Sequence, residues 1–309
     1  MSNVARILGS AGNTQGIPFN SENLFNTSVW TGTGSSRTLT NNINLSGEGG
    51  LTWIKSRTGG SSQHALFDTE RGVLKGLSSS STSAQADEAN SVTAFNSNGF
   101  DLGSWSGVNG NGTEYVGWTF RKAPKFFDIV TYTGDGTSNR TISHNLGSTP
   151  GMIIGKSTST TIHWMVWHTA MVDNEFLRLN QTDAQGGYGS YYEAGMTSTT
   201  VGVNGTGSTY GMNKNGETYV LYIFAHNNSD GGFGPDGNKD LIKCGGYTGG
   251  GSSGQNQEIT VGFEPQWVLI KNIGNTSNWA IFDMMRVWRG PIGLDSSAIY
   301  PNDAGNEAS

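Results

Sequence analysis

FFDIVTYTGDGTSNRTISHNLGSTPGMIIGK, residues 126–156, returns in altered form as LIKCGGYTGGGSSGQNQEITVGFEPQWVLIK, residues 241–271. Tyr132 and Tyr247, Pro150 and Pro265, and Lys156 and Lys271 are each 115 residues apart (247 − 132, 265 − 150, 271 − 156). A third version, VWTGTGSSRTLTNNINLSGEGGLTWIK, lies upstream at residues 29–55, with Trp30 in the tyrosine's place and Lys55 in the lysine's. A fixed internal period marks a chain built as an array of like units.

Other landmarks keep the same order. WIK in unit one is followed by His64-Ala-Leu-Phe-Asp68, MIIGK in unit two by Trp164-Met-Val-Trp-His168, and WVLIK in unit three by Trp279-Ala-Ile-Phe-Asp283. Unit one closes on NGTEYVGWTF, residues 111–120, and unit two on NGETYVLYIF, residues 215–224. In the first of these, Val116, Trp118 and Phe120 alternate with Tyr115, Gly117 and Thr119, the period of a half-buried strand. The spacing therefore predicts an arm over residues 1–24, sandwiches over 25–125 and 126–240, and an incomplete third sandwich over 241–309. By analogy with Lys156 to Tyr219, a third closing strand falls near position 334, so we expect either that the natural protein continues past Ser309, the favoured reading, or that a neighbouring chain completes this unit.

Composition agrees with an all-β fold. Gly is the commonest residue (47 of 309), charged residues make up 14%, and 9 Trp, 10 Tyr and 13 Phe fall in short runs between Gly/Ser/Asn clusters. Disordered segments lack that aromatic content, and many short strands between turn signals read as tandem β-sandwiches or jelly rolls. The net charge of −6 opposes nucleic-acid binding, which needs a basic stripe. There is no apolar run of membrane-spanning length, and the first residues hold no apolar core of a secretory signal. Cys244 is the one cysteine, so no intrachain disulfide or Cys-rich metal site is expected.

The WIKSR…HALFDTERG stretch of unit one and the YTG…P…VLIK…WAIFD…RG pattern of unit three resemble virion structural proteins of marine bacteriophages. These are tail-fibre or capsid-fibre proteins with tandem concanavalin A-like (laminin G-type) domains. Unit two departs from the pattern at Trp167-His168-Thr169, with no Arg-Gly following. The resemblance implies a virion location after assembly in the host cytoplasm, self-association as a homotrimer, and attachment to tail or capsid through residues 1–24. It also implies host attachment, with a host-surface glycan as a further partner. It implies no catalytic set and no cofactor. The competing reading is a surface carbohydrate-binding module or glycan-active enzyme.

Candidate chemistry is sparse. Asp68 with Arg71, and Asp283 with Arg286, have the spacing of a carboxylate–guanidinium pair pinning a strand to its following turn. The lysine ending each central strand reads as a solvated or carboxylate-neutralising side chain. His163 and His168, five apart, fall on opposite faces of a strand and suit no single metal. The acidic stretch around Asp236 lacks the glutamate a calcium loop requires twelve residues in. Glu114 and Glu217 start the two closing strands, one per unit, which suits structure more than glycoside hydrolysis. Trp105, Tyr188, Tyr191 and Tyr192 sit in Gly/Ser/Asn-rich stretches, where loop-borne rings could stack on sugars or pack against a neighbouring subunit.

Overall fold

In the computed structural model the described residues are 21–171, 175–186, 192–193, 195–205, 211–250, 257–286 and 298–307. They form an all-β protein of several antiparallel sheets. Unit one contributes β1 (Phe25–Thr31), β2 (Arg37–Thr40), β3 (Gly50–Ser56), β4 (Ala65–Asp68), β5 (Lys75–Gly76), β6 (Ala86–Asp87), β7 (Val92–Asn96), β8 (Gly99–Leu102) and β9 (Glu114–Arg121). Unit two contributes β10 (Phe127–Thr133), β11 (Arg140–Ser143), β12 (Pro150–Ser157), β13 (Met165–His168), β14 (Leu177–Arg178), β15 (Tyr192–Glu193), β16 (Thr200–Val203) and β17 (Thr218–Ala225). Unit three contributes β18 (Trp267–Lys271) and β19 (Trp279–Asp283). The α-helices among these residues are two four-residue turns, α1 (Leu45–Glu48) and α2 (Ser106–Asn109).

The large sheets run β1-β9-β3-β4 in unit one and β10-β17-β12-β13-β14 in unit two, facing smaller sheets β2-β8-β7 and β11-β16-β15. The closing strand is thus central in each large sheet, and its two faces have different destinations. On β17, Tyr219, Leu221, Ile223 and Ala225 join the core of unit two, whereas Val220, Tyr222 and Phe224 join another core. On β9, Tyr115 packs inside unit one while Val116, Trp118 and Phe120 face away from it. That other core also holds Trp53, Phe127, Trp164, Trp279 and Ile281 from all three units. Instead of half-buried strands, β9 and β17 are buried on both faces after their first residue. The aromatic stripe that the period marks does not fill its own unit's sandwich; it fills a core shared between units.

Local signals explain the turns. Gly32 and Gly134 follow the opening strands where an added Cβ would lie 2.1 Å from the carbonyl oxygens of Gly110 and Lys214, so no larger residue fits. Beside them Asn109 accepts from the Thr33 N–H and Asn213 from the Asp135 N–H, at 3.0 and 3.2 Å. Tyr115 donates to Ser106 O and Tyr219 to Gly211 O, while Trp30 stacks on Tyr115 at 5.5 Å and Tyr132 on Tyr219 at 5.2 Å.

The arm expected over 1–24 ends earlier than that boundary. Residues 21–23 form a 3-10 turn, and Leu24 is fully buried in the shared core with its carbonyl accepting from the Arg121 N–H at 2.8 Å.

Candidate functional site

The densest polar chemistry lies where units meet, and contacts of one kind pass around a ring. Trp164 of unit two donates Nε1–H to Ser78 O of unit one at 2.7 Å. Trp279 of unit three donates to Arg178 O of unit two at 2.9 Å. His64 of unit one meets Tyr300 O of unit three at 3.0 Å. Since Trp53 Nε1–H donates to His64 Nδ1 at 2.9 Å, the His64 proton sits on Nε2 and is given to Tyr300. Burial, reinforced by Lys55 nearby, keeps this imidazole neutral by pushing its pKa well down.

Backbone bonds close the ring in the opposite sense. The Gln85 N–H donates to Thr158 O at 3.0 Å, the Gln185 N–H to Ile273 O at 2.9 Å, and the Glu307 N–H to Arg57 O at 3.3 Å. One passes from unit one to two, the next from two to three, the last from three to one.

At two of the three junctions an ion pair is sealed by a ring from the next closing strand. Asp68 and Arg71 are 2.5 Å apart, with side chains 0% and 3% exposed, and the neutral Tyr222 hydroxyl donates to Asp68 Oδ2 at 2.7 Å. Burial lifts the Tyr222 pKa well above its ordinary value, which keeps that proton in place. Asp283 and Arg286 are 2.6 Å apart and both 0% exposed. There Trp118 donates Nε1–H to Asp283 Oδ2 at 2.9 Å and lies under the Arg286 guanidinium at 5.6 Å. A buried pair of this kind holds because every charge is hydrogen-bonded. Unit two has His168 and Met171 at the matching positions, and His168 Nδ1 accepts from the Ala170 N–H at 3.0 Å.

The lysines ending the central strands are not solvated. Lys55 and Lys156 are buried, and desolvation brings each pKa down to about 8 against the pull of Asp303 and Glu217 respectively. Their ammonium groups cap carbonyls where chains turn. Lys55 donates to Ser56 O and Ala304 O at 3.0 and 3.2 Å, and Lys156 to Ser157 O and Thr160 O at 2.8 and 3.3 Å. Lys271 donates to Thr182 O of unit two at 3.1 Å. A lysine at a strand end looks surface-bound in one dimension; here a neighbouring unit supplies a carbonyl to Lys55 and to Lys271, while Lys156 is capped within its own unit.

The aromatic candidates separate. Trp105 is half-buried at the start of α2 and meets Phe67 edge to face at 6.4 Å, which makes it a cover for the unit-one core. Tyr192 is not in a loop: it lies buried in β15, its hydroxyl donating to Met165 O at 3.1 Å. Tyr188 and Tyr191, like Arg289 and Gly290, fall outside the described residues. Asp240 organises the turn near Asp236. Burial raises its carboxyl, but the Ser229 and Gly231 N–H groups outweigh this and hold it below its usual range. His163 pairs with Asn180 at 2.9 Å. Among the described residues there is no cluster of three metal-ligating side chains, and no helix is long and apolar enough to cross a membrane.

Sequence reasoning missed the inter-unit role of Tyr222 and Trp118, although both carry a signal: each is the third residue after the Tyr of its closing strand, on the face opposite that Tyr.

Sheets and junctions together define an all-β sandwich protein in which buried charges join one group of strands to the next. The chain belongs to the family described as Domain of unknown function (DUF7483), which matches residues 20–309. No curated protein and no solved structure matches it.

Proposed function

We propose that this chain is a non-enzymatic structural protein of a bacteriophage virion, fibre-type, in which three β-sandwich units present loops for host attachment. One observation supports this above others: six deeply buried ionisable groups, Asp68, Arg71, Lys55, His64, Asp283 and Arg286, act between units, holding them together. Perturbed titratable groups gathered in a cleft would suggest catalysis; groups sealed under a neighbour's aromatic ring suit a rigid scaffold.

The residues that precede the 3-10 turn at 21–23 serve as the attachment to tail or capsid, and a homotrimer remains the expected assembly. The reason for a trimer is the resemblance alone, since the units of one chain already share a core. Antibody raised against the purified chain should label fibres or capsid projections on virions seen by electron microscopy, and sedimentation should report three chains per particle. Unlabelled virions, or reducing ends accumulating from host polysaccharide, would overturn the reading in favour of a glycan-active protein.

A further inference from the structure

Unit three carries half of a sandwich whose other half can be drawn from units one and two. Strands β3 and β12 are buried along their whole length, each flanked by a closing strand on one side. In β18 every residue is only half-buried, and among the described residues its one ladder partner is β19. Ile281 gives its N–H and C=O to Ile299 at 2.8 and 3.1 Å, so the Leu269–Ile281 pair exchanges no ladder bonds. By the alternation of antiparallel ladders, Trp267, Leu269 and Lys271 therefore point their N–H and C=O groups away from β19, to the open edge. In unit one the matching residue, Trp53, faces Trp118 of the closing strand.

The opening stretch of unit three is likewise written for a partner. Residues 242–248 correspond to β1 and β10 but belong to no sheet. Tyr247 is 54% exposed, although Trp30 and Tyr132 at the matching positions stack on closing-strand tyrosines. Gly249 stands where Gly32 and Gly134 are forced by a carbonyl 2.1 Å away, yet an added Cβ there would meet nothing within 4 Å.

We propose that unit three is a strand acceptor: one antiparallel polypeptide strand of the closing type adds to β18, between it and residues 242–248. The occupant comes from outside these 309 residues. Among the described residues β9 and β17, which carry the Tyr-Val pairs, are already central in their own sheets, so a second copy has no described strand of that type to lend. Residues 1–20 contain no Tyr or Trp and lack the closing pattern. That pattern is a Tyr-Val pair with an aromatic five residues after the Tyr, as in Tyr115 to Phe120 and Tyr219 to Phe224. The Tyr stacks on Tyr247, and a strand N–H and C=O answer Leu269. The residue three after the Tyr faces His168 and Met171, where no ion pair needs sealing, so an apolar side chain serves as well as a donor. Adding a strand to an exposed edge is an established mode of peptide recognition, and an edge left open is an aggregation hazard. This holds whether or not the protein is a virion component.

The probe is a labelled synthetic peptide of residues 113–121, TEYVGWTFR, titrated into the full chain and followed by anisotropy and by amide hydrogen exchange. Binding should saturate at one peptide per chain, slow exchange at Trp267, Leu269 and Lys271 at least tenfold, and fail for a scrambled peptide. Leu269→Pro, which removes an edge-facing donor, should weaken binding tenfold or more. Tyr247→Ala, which leaves the ladder untouched, should weaken it about threefold and covers the case in which the proline variant does not fold. Absence of saturable binding, or binding indifferent to both variants, would overturn the proposal. So would those three amides being already protected in the monomer, or protected in step with chain concentration, which would make a second copy the occupant.

Discussion

Strands β3 and β12 differ from β18 in surroundings more than in sequence. LTWIK, MIIGK and WVLIK are interchangeable as short apolar strands ending in lysine, yet the first two are sealed on both faces and along both edges while the third is half-open. Lys55 and Lys156 are correspondingly buried, whereas Lys271 keeps partial exposure. A strand's burial is set by what lies beside it in the sheet. The same contrast separates the junctions: an ion pair is found only where a closing-strand ring can cover it, and His168 with Met171 stands at the junction that has none.

Breaking a covered junction should have the largest effect. Asp68→Ala leaves Arg71 buried without its carboxylate and should cost about 3–5 kcal/mol, read by urea melts. His168→Ala at the uncovered junction should stay below about 1 kcal/mol; equal losses would erase the distinction between junctions. Trp118→Ala removes a fully buried ring from the shared core and strips Asp283 of a donor, for about 3–5 kcal/mol. Trp267→Ala on the half-open strand should cost less than half as much. An unchanged melt for Trp118→Ala would mean that β9 is not in a core.

The lysines sharpen the contrast through pH. Folded Lys55 and Lys156 titrate near pH 8 and unfolded lysine near 10.4, so between these values the unfolded chain holds more protons. Stability should therefore rise from pH 8 toward 10, together by roughly 3 kcal/mol. Above about pH 10 it should fall, since buried tyrosines such as Tyr222 keep protons that unfolded ones release. Lys156→Met should flatten the rise, and a profile unmoved by that change would place the ammonium in water. The smallest of the expected losses concerns glycine. Gly32→Ala and Gly134→Ala force a Cβ against a carbonyl and should cost about 1–3 kcal/mol, whereas Gly249→Ala should stay within about 0.5 kcal/mol.

The all-β class, the strand order along each unit and the spacing of the ion pairs were legible in the sequence, because turn chemistry, period-two alternation and i,i+3 separation are local properties. Tyr192 misled because its Gly- and Ser-rich neighbourhood reads as loop, while burial under Met165 is a property of the fold. Trp118 and Tyr222 could be assigned to a core but not to whose core: alternation says that two faces differ, and nothing in it says what lies opposite. The ring of contacts from His64, Trp164 and Trp279 joins residues 86 to 236 positions apart, and no local pattern encodes such distances. By itself, then, the sequence determined which residues form strands and which face each presents. Only the tertiary structure decided which faces meet, because burial of a charge or a ring depends on the neighbour that excludes water from it.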